Sequence, residues 1–72
     1  MTMHKYYFTF GTRHKLRNYV QLIVAFDLKA AMKKMFELYG ENWAMDYSSE
    51  EYNREILSGS MERKKELETV VV

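Results

Sequence analysis

The chain of 72 residues contains no cysteine. A disulfide framework and a thiolate metal site are therefore both excluded, and the composition fits a reducing compartment. Its three glycines, Gly11, Gly40 and Gly59, stand alone, so no glycine-rich phosphate loop exists. The longest apolar run, Leu22 to Phe26, falls far short of the roughly 20 residues that a membrane span needs. Residues 1–10 include His4 and Lys5 and then alternate, unlike a signal peptide. These features together lead to the expectation of a soluble protein of the cytoplasm with no membrane partner. Histidine is scarce too. His4 begins a strand pattern and His14 lies past its far end, about 20 Å away at strand rise, so one monomer is not expected to hold a metal between them. Ser48, Ser49, Ser58 and Ser60 sit where caps and turns need them. Glu50 and Glu51 are neighbours on a helix pattern, pointing about 100° apart. No catalytic residue, metal or cofactor is expected, and the protein is not expected to be an enzyme.

What the chain does have is divided charge. The formal net charge is +1. Residues 1–35 hold seven bases and one acid, whereas residues 36–72 hold four bases and nine acids. Such a polarity suits docking on something charged or on a second copy, so a homodimer is one expectation. Aromatic residues make up 15% of the chain, which gives a small core large buried area per residue.

The pattern predicts a single α+β domain over residues 1–72. His4–Phe10 reads as a strand with Tyr6, Phe8 and Phe10 on one face and Lys5, Tyr7 and Thr9 on the other. Residues 11–18 form a basic loop. Tyr19–Phe26 reads as a second strand, with Val20, Leu22, Val24 and Phe26 as its apolar face. Asp27 is a helix N-cap. Leu28, Ala31, Met32, Met35, Phe36 and Tyr39 then make a wide apolar stripe that Gly40 ends. Trp43–Tyr47 alternates like a short third strand. Ser48 with Glu51 forms a capping box, opening a second helix that stops near residues 58–60. Residues 59–72 are read as a flexible tail or an added edge strand. The expected architecture has two layers: a mostly antiparallel sheet of three to four strands, ordered 2-1-3, with the long helix across it and the short helix beside it.

The runs Lys5–Gly11 (KYYFTFG), Tyr19–Ala25 (YVQLIVA) and Ala30–Tyr47 (AAMKKMFELYGENWAMDY) resemble short ββαβ-type proteins encoded by phages and prophages of Gram-positive bacteria. The resemblance covers residues 4–52 and rests on aromatic and glycine positions. It implies an accessory phage protein acting in the bacterial cell. Proteins of that class include small inhibitors of host immunity, among them anti-CRISPR proteins.

Two surfaces are candidates for contact. The first is acidic: Asp46, Glu50, Glu51 and Glu55, with Tyr47 and Tyr52 as aromatic anchors. Carboxylates near a helix start can imitate a phosphate backbone. This surface would serve stoichiometric inhibition of a host protein, such as a CRISPR or other defence nuclease. The second is the basic loop. Arg13, Lys15 and Arg17, beside Lys5, Tyr7 and Thr9, would bind nucleic acid by phosphate contact and base stacking. A self-associating structural protein is a third expectation.

Overall fold

The computed structural model describes residues 2–72. Strands β1 (His4–Thr9) and β2 (Tyr19–Ala25) pair as an antiparallel hairpin, with Tyr7 opposite Leu22. Helix α1 (Leu28–Tyr39) follows, then β3 (Met45–Ser48), antiparallel to β1 with Tyr7 opposite Tyr47. Helix α2 (Ser49–Ser58) leads to β4 (Lys65–Glu66) and β5 (Val70–Val71), which both lie parallel along β2. The order β3-β1-β2 matches the pattern read from sequence; the sheet as a whole is mixed, with the C-terminal segment as its second edge.

Helix boundaries follow local chemistry. The Asp27 carboxylate accepts the Ala30 N–H at 2.8 Å, satisfying one of the open donors of the first turn. Gly40 leaves the helix at φ 64°, a left-handed conformation that costs glycine nothing, and its N–H donates to the Phe36 carbonyl. At α2 the capping box forms in both directions: Glu51 N–H donates to Ser48 Oγ at 3.2 Å, and Ser48 N–H donates to Glu51 Oε1 at 3.0 Å.

The two-layer expectation needs correction, because the two helices cover opposite faces of the sheet. On one face Phe8, Phe10, Ile23 and Ala25 bury against Ala31 and Met35 of α1. On the other, Tyr7 stacks on Tyr52 of α2, with ring centroids 4.4 Å apart and planes within 4°. Strand β2 is apolar on both sides, and β1 adds Tyr7 to the second face, so a helix is needed on each. Val20 and Leu22 are buried on the α2 side, while Phe26 of the expected apolar face is exposed.

Trp43 is also placed differently. It precedes β3 instead of starting it, and sits edge-on to Phe8 at 5.2 Å and to Phe36 at 5.8 Å. Continued alternation would have put it on the other face of the sheet, with Tyr47. Burial of the indole against α1 overrides the period of two.

One polar residue, Gln21, is buried in β2. Its Oε1 accepts the Tyr39 hydroxyl at 2.7 Å, and its Nε2 donates to the carbonyls of Glu68 at 2.7 Å and Leu22 at 3.1 Å. This chain ties the end of α1 to β2 and to the break between β4 and β5. It explains how a polar side chain is tolerated there.

Candidate nucleic-acid interface

The hairpin tip is a run of tight turns. Backbone bonds link His14 to Gly11 (2.9 Å), Arg17 to His14 (3.1 Å) and Tyr19 to Leu16 (2.9 Å). His14 Nδ1 accepts the Leu16 N–H at 3.0 Å, and the His14 ring packs on Phe10 at 4.8 Å. Leu16 packs against the core. Residues 14 and 16 thus point inward, and the turns leave Arg13, Lys15 and Arg17 exposed. The loop is anchored by its even positions and presents its cations at the odd ones.

The C-terminal segment adds to this pole. Lys65 N–H donates to the Asn18 carbonyl at 3.1 Å, where β4 begins alongside β2. The Lys64 ammonium donates to the Arg17 carbonyl at 2.9 Å, while its backbone N–H reaches the Tyr52 hydroxyl at 3.4 Å. Lys64 therefore pins α2 and the tail to the hairpin. Arg63 and Lys65, on either side of it, are exposed. Between the two segments lies an open cleft of ≈ 390 Å³, lined by Asn18, Tyr19, Glu62, Arg63, Lys64 and Lys65. Glu62 is the acid within that lining, and Glu41 borders a second cleft on the far side of the loop, beside Arg13. Among the described residues the one ion pair is Lys34–Glu37, so neither the loop cations nor Arg63 and Lys65 are neutralised by a bridge.

Sequence reasoning missed this convergence. Arg63, Lys64 and Lys65 lie in the acidic half of the chain, and the parallel return beside β2 brings them to the basic loop. The platform expected on β1 is not available, however. Tyr7 is stacked under Tyr52 and Thr9 is buried.

The expected acidic surface is divided. Asp46 pairs with Phe8 and belongs to the α1 side of the sheet, whereas Tyr47 pairs with Tyr7 on the α2 side. Tyr52 is only 2% exposed, so it anchors the core and not a partner. Glu51 is committed to the cap. Its bond from the Ser48 backbone, then that from the Ser48 hydroxyl, and to a smaller degree the charge of Arg54, hold its carboxyl below the usual range. Glu50 is exposed, next to His4 and Lys5, and Glu55 is half-buried. His4 and His14 lie at opposite ends of β1. No helix among the described residues is long and apolar enough to cross a membrane. The chain matches no known protein family, no characterised protein and no solved structure with which it was compared.

Proposed function

We propose that this chain is a non-catalytic binding protein that docks its basic pole on the phosphate backbone of a nucleic acid. The observation that carries this reading is the meeting of Arg13, Lys15 and Arg17 with Arg63 and Lys65, from distant parts of the chain, at one end of the sheet. Cations held on an anchored loop and a paired strand lose less freedom on binding than cations on a mobile tail. The half-exposed ring of Tyr19 in the adjoining cleft offers a stacking surface for an unpaired base. Accessory binding of this kind fits a small phage protein. The other reading, a stoichiometric inhibitor using Asp46, Tyr47, Glu50, Glu51, Tyr52 and Glu55, draws less support, since those residues divide between the two faces of the sheet and the interior.

The test is fluorescence anisotropy with labelled single-stranded and duplex oligonucleotides. The Arg13→Ala/Lys15→Ala/Arg17→Ala variant is expected to fold, by circular dichroism, and to lose binding. Glu50→Lys is expected to bind as well as the wild type or better. Wild-type affinity in the triple variant would refute the proposal.

A further inference from the structure

The cleft between the hairpin and the C-terminal segment has two walls. One is the start of β2, with Asn18 and Tyr19; the other is the stretch 62–65, with Glu62, Arg63, Lys64 and Lys65. Hydrogen bonds fix the walls to each other, from the Lys65 N–H to the Asn18 carbonyl and from the Lys64 ammonium to the Arg17 carbonyl. The volume of ≈ 390 Å³ falls in the lower part of the range for small-ligand sites, roughly 300–1,000 Å³. Two groups in the lining have no partner of their own kind in the fold. Tyr19 joins no ring pair among the described residues, unlike most of the other aromatic side chains. Glu62 is exposed and joins no ion pair among the described residues, although three basic residues share its cleft. An acid is out of place in a cleft that serves phosphates alone, because it repels them.

We infer that this cleft takes one unpaired guanine of a single-stranded nucleic acid, an inference that rests on the phosphate docking proposed above. Tyr19 supplies the face on which the base stacks. Lys65 is its neighbour in the parallel register, so the two side chains leave the same side of the sheet, with a cation beside the ring for the phosphate. Glu62 reads the edge of the base. Guanine is the common base with two donors side by side on its Watson–Crick edge, N1–H and N2–H, and they match the two oxygens of a carboxylate. Adenine and cytosine offer one amino group beside a ring acceptor. Thymine and uracil offer one N–H between two carbonyls. Each would turn an acceptor toward the carboxylate with no donor between them. A base within a duplex is stacked on both sides and its edge is already paired, so a duplex would meet the cations alone. Arg13, Lys15 and Arg17 lie beyond the cleft and would follow further phosphates, so a strand fits better than a free nucleotide.

The probes are labelled oligothymidine, the same strand with one central guanine, a third strand with inosine in its place, and a duplex, all followed by anisotropy. The guanine strand is expected to bind about tenfold tighter than oligothymidine, within what one bidentate base contact gives. Inosine lacks the N2 amino group and is expected to lose most of that gain. Glu62→Gln changes an exposed side chain and is expected to remove most of the guanine preference. The ratio between strands is the readout, because loss of an acid also strengthens phosphate binding. Tyr19→Ala is expected to weaken the single strands about tenfold and the duplex little. Tyr19→Phe keeps the ring and is expected to bind like the wild type, which separates lost stacking from a disturbed β2. A guanine preference that survives Glu62→Gln, or free guanosine monophosphate binding as tightly as the guanine strand, would overturn the inference. Equal, salt-sensitive binding of all four probes would overturn it too and leave the phosphate docking standing. Binding to none of them would overturn both.

Discussion

The Tyr39–Gln21–Glu68 chain is expected to be the part of the fold most sensitive to a single polar change. Tyr39→Phe removes the hydroxyl that donates to Gln21 Oε1 at 2.7 Å and leaves that oxygen buried and unpaired. An unsatisfied buried acceptor costs about 1–3 kcal/mol. Gln21→Leu removes the carboxamide and leaves the Tyr39 hydroxyl and the Glu68 carbonyl without it. It loses two or three hydrogen bonds of about 1 kcal/mol net each and recovers part of that through apolar burial. A domain of this length has a total stability of roughly 4–11 kcal/mol, so a loss of about 2 kcal/mol is a large fraction. Urea unfolding followed by circular dichroism is the assay. With a slope near 1 kcal/mol/M, the midpoint of Tyr39→Phe should fall by about 2 M. The double variant should cost less than the sum of the two, since both changes break the same chain. The chain also holds β4 and β5 against β2, so the Leu67 and Val72 amides, which donate to the Val20 and Val24 carbonyls, should exchange faster in Gln21→Leu. A Tyr39→Phe variant within about 0.5 kcal/mol of wild type, or strict additivity in the double variant, would refute the reasoning.

Further outcomes follow from the caps and stacks. Tyr52→Ala should cost about 3–5 kcal/mol, because it empties the site under α2 and removes the stack on Tyr7; Tyr52→Phe keeps the ring and should lose only the bond from Lys64, about 1 kcal/mol in thermal or urea unfolding. Folding holds the Glu51 carboxyl below its ordinary pKa of 4.5, so its contribution is present above that pH and is lost as the pH falls through the lowered value; acid unfolding of Glu51→Gln should show a smaller loss over that window. Burial raises the Tyr39 hydroxyl above its ordinary pKa of 10.0, so the wild type should lose stability as the pH rises through that region, and Tyr39→Phe should lack this part of the alkaline decline in a melting series.

The sequence made the local elements legible because each carries its own chemistry. Asp27 and Gly40 bracket α1, and Ser48 with Glu51 opens α2, where the pattern placed them. The sandwiching of the sheet was harder to read. In Tyr19–Ala25 every residue except Gln21 is apolar or aromatic, a run that lacks the alternation of a one-sided strand. Reading Val20, Leu22 and Val24 as the core face overlooked Ile23 and Ala25 on the other side. The wide stripe of α1 held a similar signal. Only Ala31 and Met35 are fully buried, and Leu28 and Phe36 remain exposed. The division of the acidic residues was not legible because neighbours in a strand point to opposite faces, which parts Asp46 from Tyr47. The basic pole depends on the return of the tail along β2, a long-range pairing that local charge counts do not contain.

The most direct test of the basic pole is the salt dependence of binding to a short duplex. Five unbridged cations on one surface correspond to a slope of log K against log salt of about −4.5, and each cation removed should flatten it by about 0.9. Arg13→Ala/Lys15→Ala and Arg63→Ala/Lys65→Ala should therefore each reduce its magnitude by about 1.8, although the two pairs come from opposite ends of the chain. An unchanged slope in Arg63→Ala/Lys65→Ala would contradict a shared surface, and a wild-type protein whose binding ignores salt would contradict phosphate recognition altogether.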